Sequence, residues 1–151
     1  MSPDADLREP GMSYAGDLNV NEAWQLLAAE KGAQLIDVRT VPEWNFVGRP
    51  DLGNLGKAPI LLSWQVYPQM AVDADFVAKL TEKLAAGDKN APLLFLCRSG
   101  ARSKAAALAA TAAGYTKCYN IAGGFEGDRD AAGHRSSVGG WRFAGLPWTQ
   151  D

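Results

Sequence analysis

The stretch Leu93-Leu94-Phe95-Leu96-Cys97-Arg98-Ser99-Gly100-Ala101-Arg102-Ser103 constrains the fold more than any other part of the chain. A short run of apolar residues reads as a strand buried on both faces, and an alanine-rich segment from Ser103 to Ala113, stopped by Gly114, reads as a helix. Only a few residues join them, so the strand must feed the helix directly and the helix must fold back on the sheet, a βα unit. Seven alanines and one leucine in that helix allow it to approach the sheet closely.

The loop inside this unit has the makings of an anion cradle. Backbone N–H groups in the turn and the first helical turn lack carbonyl partners and carry the positive end of the helix dipole. Arg98 and Arg102 add full charges where a helix start disfavours them, which points to a bound anion that offsets them. The same surroundings favour a thiolate at Cys97, hence a nucleophile at the floor of the pocket. A buried, inert cysteine would not require two arginines and a glycine beside it.

The rest of the chain supplies partners for that unit. A helix is expected to start at Asn21 or in the preceding turn and to run through Glu30, with Trp24, Leu27 and Ala28 at i, i+3 and i+4 and Gly32 as its stop. Strands are expected over Gln34–Val38, Pro59–Leu62, Pro92–Leu96 and Tyr115–Ile121. One helical turn is read at Pro42–Phe46 and a breaker-rich loop at Gly48–Gly56. A further helix, capped by Asp73 or Asp75, runs to about Ala86 with Phe76, Val77, Leu80 and Leu84 on one face and Gly87 as stop. Residues 1–12 read as a flexible tail and 13–151 as a single domain. The alternation implies an α/β fold, a mostly parallel central sheet with helices on both faces. Ligands bind such sheets beyond the carboxyl ends of the strands, so Asp37-Val38-Arg39 and Cys97 should converge there.

Three segments together resemble the rhodanese family of sulfurtransferases. Cys97-Arg98-Ser99-Gly100-Ala101-Arg102 matches its active loop, Cys-Arg-x-Gly-x-[Arg/Thr]. Asp37-Val38-Arg39 with Glu43-Trp44 matches its Asp-Val-Arg strand and the Glu-aromatic pair that follows. Gly123-Gly124, Trp141 and Gly145-Leu146-Pro147-Trp148 match its closing pattern. Two places depart from it: Gly48-Arg49-Pro50 stands for Gly-His-Ile, and the stretch between Gly124 and Trp141 is long. The resemblance implies a rhodanese-like fold and a thiosulfate sulfurtransferase without a cofactor. Cys97 would carry a persulfide, and Arg98, Ser99, Gly100, Ala101, Arg102 and Ser103 would bind the donor, Arg102 more than Arg98. Asp37, Arg39 and Glu43 would support neighbouring loops. Its partners would be small molecules: a sulfur donor, then cyanide or a thiol, protein thiols included.

The same residues leave other functions open. Phosphatases and arsenate reductases of the related kind use a loop with the arginine six residues after the cysteine. Here Ser103 is the sixth residue and the arginine is the fifth, a smaller ring. A persulfide carrier or an anion-binding module is the other alternative. The single histidine, His134, lies in a glycine- and serine-containing loop and is read as surface. Asp128, Asp130 and His134 lack the ligands of a calcium or structural zinc site, so no metal is expected. Net charge −2 argues against nucleic acid, and no apolar run approaches a membrane span. The polar, acidic start is no signal peptide, which favours the cytoplasm. Cys118 fills core, separated from Cys97 by about three residues along neighbouring strands, or roughly 10 Å, too far for a disulfide. Trp24 and Trp44 are expected in the core, and Trp64, Trp141 and Trp148 at the pocket wall or facing a partner.

Overall fold

The computed structural model describes residues 13–84 and 89–150. The proposed flexible tail and the expected helix end at Ala86-Gly87 lie outside the described residues. Five strands form one parallel sheet: β1 (Gly16–Leu18), β2 (Gln34–Asp37), β4 (Ile60–Leu61), β7 (Leu93–Leu96) and β8 (Cys118–Ile121), in the order β1-β8-β7-β2-β4. Two small antiparallel pairs accompany it: β3 (Arg49–Pro50) with β9 (Trp148–Thr149), and β5 (Gln65–Val66) with β6 (Ala71–Val72). The helices are α1 (Val20–Ala29), α2 (Val41–Phe46), α3 (Phe76–Lys83) and α4 (Ala101–Ala112).

The period-2 alternation of β7 sorts the core into two layers. Leu93, Phe95 and Cys97 face a cluster containing Phe76 and Leu80 of α3 and Ala106, Ala107 and Ala110 of α4. Leu94 and Leu96 face the other cluster, with Ala23 and Leu27 of α1, Phe125 and Trp141. The sheet is thus covered on both sides, which is why β7 carries no polar residue. The fold class is the one expected from the alternation.

Local chemistry sets the boundaries. Asn19 and Glu22 close a reciprocal capping box, so α1 begins at Val20, in the turn before Asn21. Its buried face is Val20, Ala23 and Leu27; Ala28 is exposed and Trp24 only half-buried. Gly100 starts α4 two residues earlier than expected, with a φ of 119° that an L side chain rarely adopts. Arg102 and Ser103 consequently occupy its first turn. The last strand of the main sheet is Cys118–Ile121, shorter than the Tyr115–Ile121 expected.

Trp141 is the clearest correction. It is neither pocket wall nor partner face but fully buried, packed edge-on against Trp24 at 5.9 Å, with its indole N–H donating to the Pro147 carbonyl at 2.7 Å. Trp44 is buried as expected, Trp64 sits edge-on to Phe76, and Trp148 remains exposed. Cys118 is opposite Leu93, four residues before Cys97, or about 13 Å along the strands. Both thiols are free, and burial pushes that of Cys118 up, against a smaller lowering by Thr111. Among the described residues, no helix is long and apolar enough to cross a membrane.

Candidate active site

Strands β2 and β7 are neighbours in register, Asp37 opposite Leu96, so their carboxyl ends open side by side. Cys97 follows directly and is 1% exposed. It forms part of a pocket of about 330 Å³ with Arg98, Ser99, Ala101, Arg102, Glu43, Gln65 and Met70. The Gly100 N–H donates to its sulfur at 3.1 Å, and the Ser103 hydroxyl oxygen lies 3.2 Å from it, with one proton for which that sulfur and Asn120 Oδ1 compete. Gly100 has to be glycine there, because a Cβ at its positive φ would stand 2.6 Å from the Ala122 carbonyl oxygen.

The loop is held from behind. Phe125 N–H donates to the Cys97 carbonyl at 2.8 Å, and the N–H groups of Glu126 and Gly127 both reach the Arg98 carbonyl, at 3.0 and 3.2 Å. Such close backbone contact explains Gly124, where an added Cβ would collide with the Arg98 carbonyl. The segment after Gly124 is itself anchored by Trp141, whose backbone N–H donates to the Gly124 carbonyl at 2.8 Å.

Asp37 and Arg39 form a fully buried pair beside the loop. Arg39 donates to the Asp37 carboxylate through Nε at 3.0 Å and Nη2 at 2.7 Å, and through Nη2 to the Gly48 carbonyl at 2.8 Å. Its guanidinium lies over the Phe125 ring, 4.2 Å from the centroid. This pair therefore joins the end of β2, the loop before β3 and the segment behind Cys97, without lining the pocket.

Glu43 lines it. Held in the first turn of α2 by hydrogen bonds from the Thr40 N–H and hydroxyl, its carboxylate takes two more from Arg102, at 2.7 and 3.0 Å. Burial alone would raise the Glu43 carboxyl pKa. The hydrogen bonds and charge of Arg102, then Thr40 and Arg39, outweigh it and hold that pKa below its ordinary value. Burial likewise opposes the charge of Arg102, and Glu43 more than restores it. Arg98 is exposed at the pocket rim. Cys97, Arg98, Ser99, Gly100, Ala101, Arg102, Ser103 and Glu43 are thus brought together around one sulfur.

Sequence reasoning passed over three contributors. Gln65 and Met70 reach the pocket from the β5–β6 pair, whose two-residue strands carry no readable period. Asn120 accepts the Ser103 hydroxyl, a contact between residues distant in sequence that no local pattern announces. His134 is exposed, and Asp130 builds a turn by accepting from the N–H groups of Ala132 and His134 and the Ser137 hydroxyl.

An arrangement of this kind can stabilise a sulfur anion and admit an anionic reactant. Comparison with known proteins agrees in fold. The model of the STR4 middle domain family matches residues 16–151. The chain is 39% identical over 127 residues to the uncharacterized protein RC0915 of Rickettsia conorii, covering 84% of this chain and 91% of that one. The crystal structure of Rv0390 from M. tuberculosis superposes with a TM-score of 0.83 at 45% identity, over 92% of this chain and all of the other. The 30 kDa polysulfide-sulfur transferase homodimer of Wolinella succinogenes superposes with a TM-score of 0.57 at 21% identity, over 98% and 87%.

Proposed function

The chain belongs to the STR4 middle domain family and has the rhodanese-like fold, and from that we propose that it is a sulfurtransferase working through a persulfide on Cys97. The Cys97 thiolate attacks the outer sulfur of thiosulfate. A sulfur–sulfur bond forms to Cys97 while the donor's own breaks, and its electron pair leaves with sulfite. Cyanide or a thiolate then attacks the outer sulfur of the persulfide, giving thiocyanate or a new persulfide and returning the thiolate, a covalent two-step cycle. Arg98 and Arg102 attract the anionic end of the donor. The N–H groups of the loop and first helical turn from Arg98 to Ser103, that of Gly100 at 3.1 Å among them, hold the sulfur anion. Asp37, Arg39 and Glu43 position these groups.

The observation that carries the reading is the buried Cys97 sulfur on the floor of a pocket lined by Arg98 and Arg102, with the Gly100 N–H donating to it at 3.1 Å. Intact-mass measurement after thiosulfate treatment tests it. One added sulfur, about 32 Da, is expected on the wild type and on Cys118→Ser, and none on Cys97→Ser. Polysulfide, named for the W. succinogenes protein, is a second donor for the same measurement. An adduct that follows Cys118, or hydrolysis of aryl phosphates faster than thiosulfate turnover, overturns the proposal.

A further inference from the structure

Behind Cys97 a line of polar side chains crosses the sheet. Ser103 Oγ lies 3.2 Å from the Cys97 sulfur and 2.5 Å from Asn120 Oδ1. Asn120 Nδ2 donates to Asp17 Oδ1 at 3.1 Å, and the Tyr14 hydroxyl donates to the same oxygen at 2.7 Å. Asp17, Asn120 and Phe95 are cross-strand neighbours on β1, β8 and β7, so the relay is fixed by register. Ser103 is fully buried and Asn120 only 3% exposed.

A serine hydroxyl has one proton to give. Asp17 accepts only, so it fixes the Asn120 amide with its nitrogen outward and its oxygen toward Ser103. That oxygen competes with the sulfur for the Ser103 proton. While Ser103 donates to Asn120, its lone pairs face the sulfur, an arrangement that suits a thiol S–H and not a thiolate. Turning the proton to a thiolate leaves Asn120 Oδ1 buried and unpaired, which has a cost.

We propose that Asn120 is a positioning residue that, held by Asp17, draws the Ser103 hydroxyl proton away from Cys97 and so restrains formation of the resting thiolate. It acts through Ser103 and touches no reactant. The proposal deepens the sulfurtransferase reading and rests on Cys97 being its nucleophile. The other charged groups around that sulfur are Arg98 and Arg102 of the loop and first turn, Glu43 of α2 and the mutually paired Asp37 and Arg39. Among the described residues, none of them is hydrogen-bonded or ion-paired to Asn120 or Asp17.

The test reads the pH profile of Cys97 alkylation by iodoacetamide in a Cys118→Ser background, which needs no sulfur transfer. Asn120→Leu removes the competing acceptor, and the midpoint should fall by about half to one pH unit, with a threefold to tenfold faster reaction below it. Asn120→Asp keeps an acceptor facing Ser103, so its midpoint should not fall. Asp17→Ala, at an exposed side chain, releases the amide to turn and should lower the midpoint in the same sense as Asn120→Leu, whether or not the latter folds well. In a Ser103→Ala background neither change should move the midpoint further. An unmoved or raised midpoint in both Asn120→Leu and Asp17→Ala overturns the proposal, as does an undiminished shift without Ser103. Absence of a thiosulfate adduct would instead remove the sulfurtransferase reading and leave these profiles standing.

Discussion

Glu43 and Arg102 meet across the pocket through two parallel hydrogen bonds, 2.7 and 3.0 Å long, each side chain a little under one-fifth exposed. The pair fixes the guanidinium, but it also offsets the charge that would draw in an anionic donor. Arg98, at the rim, carries no such carboxylate among the described residues. Glu43→Gln keeps the shape and removes the negative charge, so KM for thiosulfate should fall by about twofold to fivefold, as expected for one partly screened charge. An unchanged or higher KM would show that fixing Arg102 matters more than its net charge.

Arg98→Ala and Arg102→Ala should separate attraction from architecture. Each removes a charge-assisted contact to an anion, and kcat/KM should drop about tenfold to a hundredfold. Only Arg102→Ala leaves the partly buried Glu43 without its partner. Urea unfolding should therefore show a loss of about 1–3 kcal/mol for Arg102→Ala and little for Arg98→Ala. Combining Arg102→Ala with Glu43→Gln should recover part of that loss. Equal stability of the two single variants would contradict the role given to the pair.

The same pair makes stability depend on pH in a known direction. The folded Glu43 carboxyl titrates below its ordinary value of 4.5, so the native state holds fewer protons there than the unfolded chain. Its contribution is present above that value and is lost as pH falls through the lower, folded one. Arg102 stays protonated throughout and sets no window. Unfolding midpoints of wild type and Glu43→Gln should differ at neutral pH and converge in acid. A gap that widens on acidification would reverse the sign.

Gly100→Ala should damage fold and activity together. The new methyl group meets the Ala122 carbonyl oxygen at 2.6 Å, on a backbone already at a φ of 119°. Relief requires moving the N–H that faces the sulfur. A loss of about 2 kcal/mol or more in unfolding free energy is expected, with a fall in turnover at saturating donor. A fully stable variant with normal kcat would show that the loop yields more easily than its packing suggests.

Trp141→Ala should be among the most costly substitutions away from the pocket. It empties a site walled by Trp24 and abolishes the hydrogen bond to Pro147, so about 3–5 kcal/mol should be lost on thermal or urea unfolding.

That tryptophan also marks how far the sequence could be read. The βα unit at Cys97, the parallel sheet and the gathering of Asp37, Arg39 and Cys97 at one edge were legible, because short, fully apolar runs alternating with helical patterns and a helix stop leave few alternatives. Trp141 lies in a stretch with no helical or strand period, so nothing local separates a wall from a core position. The alanine-rich pattern alone starts α4 at Ser103, whereas the left-handed Gly100 sets its true start at Ala101. The short strands β1, β3 and β9 owe their existence to partners far along the chain, and the β5–β6 pair is too short to show a period. Asn120 facing Ser103 belongs to the same class, a consequence of strand register.

The segment from Phe125 to Gly127 never touches the sulfur, yet it decides what the sulfur meets. A trans peptide points its C=O and its N–H to opposite sides. By claiming the carbonyls of Cys97 and Arg98 from one side, the N–H groups of Phe125, Glu126 and Gly127 turn the following amide hydrogens, those of Arg98 and Ser99, to the other. The sign of the field inside the cradle is therefore written by a stretch of backbone outside it, in a currency that no side-chain motif spells out.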